Sequence, residues 1–268
     1  MRNLPAIFWS LIKTEFSIMV QYRIEMALWA LWGVAYPAVA IAVWKAAAAS
    51  NTQGMIKGFG PNEFAAYFLL TMIVSHCVAA WDIYEMGSLV RTGAMSPKLM
   101  RHILPIWEHL AANVGFKMLT LTLLLPIWAL VAWVAKPSTD ITYLSLALGI
   151  FATFLAAIIN FLWGYTIGLS AFWFTRTDAI SELWFGASLF FGGRMAPLTI
   201  LPVPLQWVAM LMPFKWIIWF PSAVLMGNVR GAEVIQGLLM QCVWLAAGLL
   251  LFPYVWQTAL RRYTAVGS

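Results

Sequence analysis

Five apolar runs, at about residues 24–44, 64–80, 110–134, 141–174 and 235–256, are each long enough or nearly long enough to cross a bilayer. A spanning helix needs about 20 predominantly apolar residues. Lipid offers no partner to a bare N–H or C=O, so runs of this kind are expected to be helices. A further apolar stretch between the fourth and last runs is cut by prolines, and one polar, basic island interrupts the pattern near residues 82–109. The chain is 63% hydrophobic and 10% charged, where soluble domains run nearer half apolar and a quarter charged. The expectation is an all-α membrane protein, a single domain over 1–268, with six transmembrane helices. An interfacial amphipathic helix over 1–22 and short re-entrant helices before the last span complete it.

The N-terminal stretch carries Leu4, Ile7, Phe8, Leu11, Ile12, Met19 and Val20 on one helical face and Ser10, Lys13, Thr14, Ser17 and Gln21 on the other. That is the pattern of a helix lying flat at headgroup level. Lys13 and Glu15 interrupt it and no small-residue cleavage site follows, so it does not read as a cleavable leader. Pro37 is expected to kink the first span. The fourth run, 34 residues long, would extend roughly 51 Å as one helix against a ~30 Å hydrocarbon core, so it must tilt or project. Within it, Gly164 and Gly168 form a G-x-x-x-G pattern that lets another helix approach. From 192 onward, Gly192, Gly193, Pro197, Pro202, Pro204, Pro213 and Pro221 punctuate segments too short to cross. Irregular backbone at membrane depth must be buried in protein or line a wet cavity, so 192–228 is expected to dip in from the outer side and return.

Six crossings divide the 16 Lys and Arg residues unequally. Arg2, Lys13, Arg23, Arg91, Lys98, Arg101, Lys117, Arg176, Arg261 and Arg262 fall on one side. Lys45, Lys57, Lys136, Arg194, Lys215 and Arg230 fall on the other. The excess places both termini and the island in the cytoplasm. The 16 tryptophans suit a protein with two interfaces to line. Cys77 and Cys242 lie in apolar runs and read as small buried hydrophobes. Glu15, Glu25, Asp82 and Glu85 near the span ends are expected to pair with Arg23 or Arg91. Arg194, inside an apolar segment, either snorkels outward or faces a wet path for an anionic substrate. Asn160 is kept beside it as a substrate-path candidate, although its position suits a helix–helix hydrogen bond better.

The motif inventory is otherwise empty. The sequence has no H-E-x-x-H, no G-x-S-x-G, no conventionally spaced carboxylate pair and no G-K-[ST] phosphate loop. His102 and His109 can share a helix face but lack a third ligand nearby, so no metal site and no catalytic residue is expected. Scattered basic residues without interleaved aromatics argue against a nucleic-acid partner. Work that consumes ATP would need another polypeptide.

The island carries Arg91, Gly93, Met95, Ser96, Pro97, Lys98, Leu99, Met100 and Arg101, with Ser96-Pro97 as a helix-start signature. The run from Val90 to Ile106 resembles the cytoplasmic loop of type-two ABC exporter permeases. That loop has a hydrophobic residue, a basic residue, glycine, a short helix, a leucine pair, arginine and proline. Phe191-Gly192-Gly193 through Pro197, Pro202, Met212-Pro213-Phe214, Pro221 and Gly227 resembles the same family's broken outer segment. The likeness covers nearly the whole chain. It departs at His102, where the family often has proline, and at Arg194, where a small or apolar residue is usual. The resemblance implies a permease subunit without its own ATPase site or cofactor, paired with a second, identical or related permease. Two cytoplasmic ATP-binding cassette subunits would hold ATP and Mg and drive it. It further implies a multi-pass protein of the bacterial inner membrane, embedded in lipid, exporting an amphipathic, lipid-like, drug or glycan substrate. Arg91, Lys98 and Arg101 would then meet acids on the ATPase while Met95, Leu99 and Met100 fill its groove, so that ATPase closure rocks the spans. An ATP-independent channel or secondary transporter is the alternative, and would show paired broken helices or mid-membrane acids. A polytopic lipid-modifying enzyme is the remaining one.

Overall fold

The computed structural model describes residues 4–174 and 177–263; Arg2 and Arg176, both counted in the charge bias, lie outside them. The helices in chain order are α1 (Leu4–Gln21), α2 (Arg23–Ser50), α3 (Pro61–Val78), α4 (Asp82–Arg91), α5 (Met95–Leu99), α6 (Pro105–Ala135), α7 (Tyr143–Gly168), α8 (Asp178–Phe191), α9 (Val203–Leu211), α10 (Phe220–Met226) and α11 (Ala232–Arg262). Among the described residues there is no strand beyond one isolated Ile56–Phe59 bridge. Five stretches are long and apolar enough to cross: Arg23–Ser50, Pro61–Arg91, Pro105–Ala135, Tyr143–Phe172 and Ala232–Arg262.

The bundle has two distinct ends, named outer and inner after the orientation expected from the charge bias. At the outer one, Lys45 Nζ donates to the Ala135 carbonyl at 2.7 Å and the Ser138 N–H donates to the Asn62 carbonyl at 3.1 Å. At the inner one, Ser96 Oγ and Tyr263 OH share a hydrogen bond of 2.6 Å.

A short helix with the turn after it runs from one end of the bundle to the other. α8 starts at the inner end, where Ser181 Oγ donates to the Ile83 carbonyl at 3.2 Å. The chain just beyond it is at the outer end, where Tyr67 OH donates to Gly193 O at 2.6 Å and Trp44 Nε1 to Met195 O at 3.1 Å. Its 14 residues give only about 21 Å of helix, and the irregular turn after Phe191 completes the passage. The chain then stays outside, with Lys57 Nζ on the Ile200 carbonyl at 3.1 Å. α9 descends, and Lys215–Met226 returns at 85° to it. Arg230 and Asp140, 3.8 Å apart, mark the outer end again. The broken pair therefore starts and finishes at one end of the bundle, as a hairpin.

Prolines shape that hairpin as their chemistry requires. Pro202 is the N-cap of α9 and Pro204 lies in its first turn, where a missing N–H costs nothing. Pro221 cannot donate to the carbonyl four residues back, and a five-residue π-helix, Lys215–Trp219, absorbs the fault just before it. The returning arm is the most buried part of the fold. Ile217, Ile218 and Leu225 pack with Val74 and Val78 of α3 and Ile159 of α7. Gln241 of α11 donates to the carbonyls of Ala152 and Trp216, at 2.9 and 2.8 Å.

Four local expectations are corrected. The fourth run is not one long helix, because α7 stops at Gly168 and tightens into a 3-10 turn at Leu169–Phe172. Only one glycine of its G-x-x-x-G serves close approach: a Cβ at Gly168 would lie 3.1 Å from Met86 Cβ and 3.2 Å from the Asp82 carbonyl, whereas Gly164 faces open space. The island is not a loop from its start, since α4 carries the second span onward after a break at Ala79–Trp81. Side chains fill the gap in the backbone ladder: Asn160 Nδ2 donates to Val78 O at 2.8 Å, and Asn113 Nδ2 and Lys117 Nζ donate to Ala79 O at 3.1 and 2.9 Å. Lys117 is thus a helix-break partner inside α6 rather than a surface cation. Ser96 does not cap a helix; α5 begins one residue earlier at Met95 without a side-chain cap.

α1 docks along the start of α6. Phe8 meets Trp107 with ring centroids 5.8 Å apart, and the Phe16 backbone N lies 3.3 Å from the Cβ position of Gly115. The equal step of eight residues on both helices sets them side by side.

Candidate functional site

Two features of the bundle can do work: a rigid platform at the inner end and a cavity between α2, α3 and α8.

The platform is built from the island. Gly93, at φ +72, ends α4 in the left-handed region and turns the chain into α5. Met95 is fully buried, packed in one cluster with Met86, Tyr165 and Trp256, so it anchors α5 to its own bundle. Ser96 ties α5 to the end of α11 through Tyr263. Lys98 and Arg101 both pair with Glu108 in the first turn of α6, Arg101 at 2.7 Å. Pro97 occupies the first turn of α5 and Leu99 is half-buried. Met100 is 78% exposed, and Leu104 is exposed nearby.

Beneath it lies a polar junction. His109 Nδ1 and Asp82 Oδ1 share a hydrogen bond of 2.9 Å, both side chains buried, with Glu85 Oε2 at 3.7 Å. Asp82 therefore meets a histidine of α6, not an arginine at headgroup level, because the close approach of α4 and α7 at Gly168 draws it inward. One ligand atom from each of Asp82, Glu85 and His109 falls within 4.8 Å of the others. The direct Asp82–His109 bond accounts for that proximity, and His102 takes no part in it. Glu15, on the α6-facing side of α1, has its carboxyl pKa pushed up by burial and then by Glu108; Glu85 adds to this, while Lys98 and His109 oppose it.

The cavity measures about 620 Å³, within the usual range for ligand sites. α8 is fastened at its two ends, and its middle stands off α2 and α3. Residues at helical spacing line each wall: Met26, Trp29, Gly33, Tyr36 and Pro37 on α2; Phe68, Thr71, Met72, Ser75, His76 and Ala79 on α3; Phe185 and Leu189 on α8. Trp81 and Phe116 close the inner part and Arg194 the outer. Pro37 has no N–H for the Gly33 carbonyl, leaving that acceptor on the wall. Ser75 Oγ is buried without a hydrogen-bond partner among the described residues, and the buried Thr71 hydroxyl lies against Tyr67 OH. His76 Nε2 shares a 2.9 Å hydrogen bond with Thr120 Oγ1. Arg194 lies over the Phe185 ring at 5.4 Å. Of the two substrate-path candidates, Arg194 lines the cavity and Asn160 does not, its amide being committed to Val78.

The model of the ABC-2 family transporter protein matches residues 34–267, from the first span to the C-terminal end. This chain belongs to the ABC-2 family. No curated protein matches it. As an ABC-2 chain it is a multi-pass permease component of an ABC transporter, of a family that lacks its own ATPase domain and generally works with ATP-binding cassette subunits. Sequence reasoning passed over Glu108 and Tyr263, which hold the ABC-2 chain's platform, and Tyr36, Thr71, Ser75 and His76, which line its cavity. Thr71 and Ser75, four apart on one spanning helix, were the available signal for that wall.

Proposed function

We propose that this permease exports an amphipathic molecule, lipid-like, drug or glycan, driven by two cytoplasmic ATPase subunits seated on the platform. ATP and Mg are held by those subunits. A second permease, identical or related, completes the assembly in a bacterial inner membrane, with both termini cytoplasmic and α1 at the inner interface.

The observation that carries this reading is the rigidity of the platform beneath an exposed apolar tip. α5 is fixed to α11 through Ser96, to α6 through Lys98 and Arg101, and to α7 through Met95 packed with Tyr165. A push received at Met100, Leu99 and the Arg101 side chain therefore moves four elements together, as a rigid-body transition requires. Arg91, on the last turn of α4, adds basic charge beside it. Among the described residues one broken hairpin occurs, not the pair a secondary transporter would carry.

The test is reconstitution of the permease with its co-purifying ATPase in sealed vesicles. Met100→Asp should cut ATP-driven movement of a fluorescent amphiphile roughly tenfold or more, the size expected for loss of an interface anchor, while membrane insertion is unchanged. Full activity in Met100→Asp, or movement without any ATPase, would refute it.

A further inference from the structure

The permease reading leaves the chemistry of the cargo open, and the cavity narrows it. Arg194 is the cavity's permanent cation, and among the described residues no carboxylate pairs with it. Its electrostatic neighbour is the neutral phenol of Tyr36, and its guanidinium rests on the Phe185 ring. A cation in an apolar, membrane-embedded wall is costly unless an anion or water meets it. A guanidinium offers a planar fork of donors matched to carboxylate and phosphate oxygens.

The other polar groups fall in a strip below it. Tyr67 OH on the Gly193 carbonyl puts Arg194 near the Tyr67 level of α3. Thr71 and Ser75 line the wall at one and two turns deeper. Beyond them the walls become aromatic, ending in Trp29 and Trp81. Phe68 to Ala79 spans about 16 Å at 1.5 Å per residue, enough for a headgroup and much of an alkyl chain. The rim at Trp29 and Tyr36 is exposed, so access is lateral.

Resting on the permease reading, we infer that this cavity is a binding site for an anionic amphiphile, its carboxylate or phosphate held by Arg194 and its apolar tail directed toward Trp29 and Trp81. The bound molecule has its headgroup toward the outer end of the bundle and its tail toward the inner end.

The test uses the permease–ATPase complex in nanodiscs of phosphatidylcholine, without nucleotide. Displacement of bound dansylaminoundecanoic acid is measured with dodecanoate, dodecyl phosphate, dodecanol and dodecyltrimethylammonium as competitors. Both anions should compete at concentrations roughly 10- to 100-fold below the neutral and cationic chains, the effect expected of a charge-assisted hydrogen bond. Arg194→Gln should erase that preference, and Arg194→Lys should keep most of it. Should Arg194→Gln fail to fold, Arg194→Lys with retained preference and Tyr36→Phe at weakened anion affinity carry the same prediction. Equal competition by all four chains, or an anion preference that survives Arg194→Gln, overturns the inference. A stronger response to one of the two anions distinguishes a carboxylate from a phosphate cargo, and either supports the site. ATP-driven movement without anion preference would sink this inference and spare the permease reading; anion preference without ATP-driven movement would do the reverse.

Discussion

Glu15 sits on the face of α1 that meets α6, close to Glu108 and Glu85, and burial with these neighbours holds its carboxyl above the ordinary 4.5. A raised pKa means the docked helix prefers the protonated acid. Its contribution to docking is complete below the ordinary carboxyl value and is lost as pH climbs through the raised one. Glu15→Gln should therefore increase amide-exchange protection of α1 at pH 7 and change little near pH 4; equal protection at both pH values would contradict this. The Asp82–His109 bond makes a second residue-scale claim. Both side chains are buried, and Asp82 Oδ2 already lacks a hydrogen-bond partner among the described residues. His109→Ala leaves the carboxylate without its remaining partner, which should cost about 1–3 kcal/mol. A lowered thermal unfolding midpoint of the purified complex is the readout, and an unchanged one would show that the bond contributes nothing.

At the scale of elements, the close approach of α4 to α7 carries the platform. A side chain at Gly168 would press on Met86 Cβ and the Asp82 carbonyl, and overpacking of this kind typically costs about 1–3 kcal/mol. Gly168→Leu should loosen α4 and lower ATPase activity coupled to transport while leaving basal ATP hydrolysis by the subunits intact; retained coupling would count against the role of this contact. The re-entrant hairpin predicts one-sided chemistry: Thr199→Cys should react with a membrane-impermeant maleimide from outside only. The spans and this hairpin were readable in the sequence because apolar run length and Pro202, Pro213 and Pro221 act locally. The break at Ala79–Trp81 was not, since it contains neither proline nor glycine and exists because Asn113, Lys117 and Asn160 reach its carbonyls from other helices. The same holds for α8, too short to qualify as a span by length, whose crossing is defined by bonds to Ile83 at one end and Tyr67 and Trp44 at the other. The cavity needed knowledge of which helix faces meet, and Tyr36 and Thr71 look unremarkable until α2 and α3 are set opposite α8.

For the whole molecule, the two features lie at different depths of one bundle. The platform binds α5, α6, α7 and α11 into a single block, while α8 is fastened at its inner end to α4 and the chain just beyond its outer end to α3 and α2. Because α3 continues into α4, which packs on α7 of that block, a rotation of the block would carry α3 relative to α8 and change the width of the cavity lined by α2, α3 and α8, the geometry an ATP-driven permease requires. The central claim is that force enters at the tip of α5, and site-directed cross-linking at that tip tests it most directly. Met100→Cys and, as control, Thr199→Cys would each be treated with a short bifunctional maleimide–amine reagent in membranes containing the full transporter. The expected result is a cross-link from position 100 to the ATPase subunit that changes yield when ATP is bound, and none from position 199. A cross-link from position 199 with none from 100, or labelling of position 100 from the outer face, would contradict it.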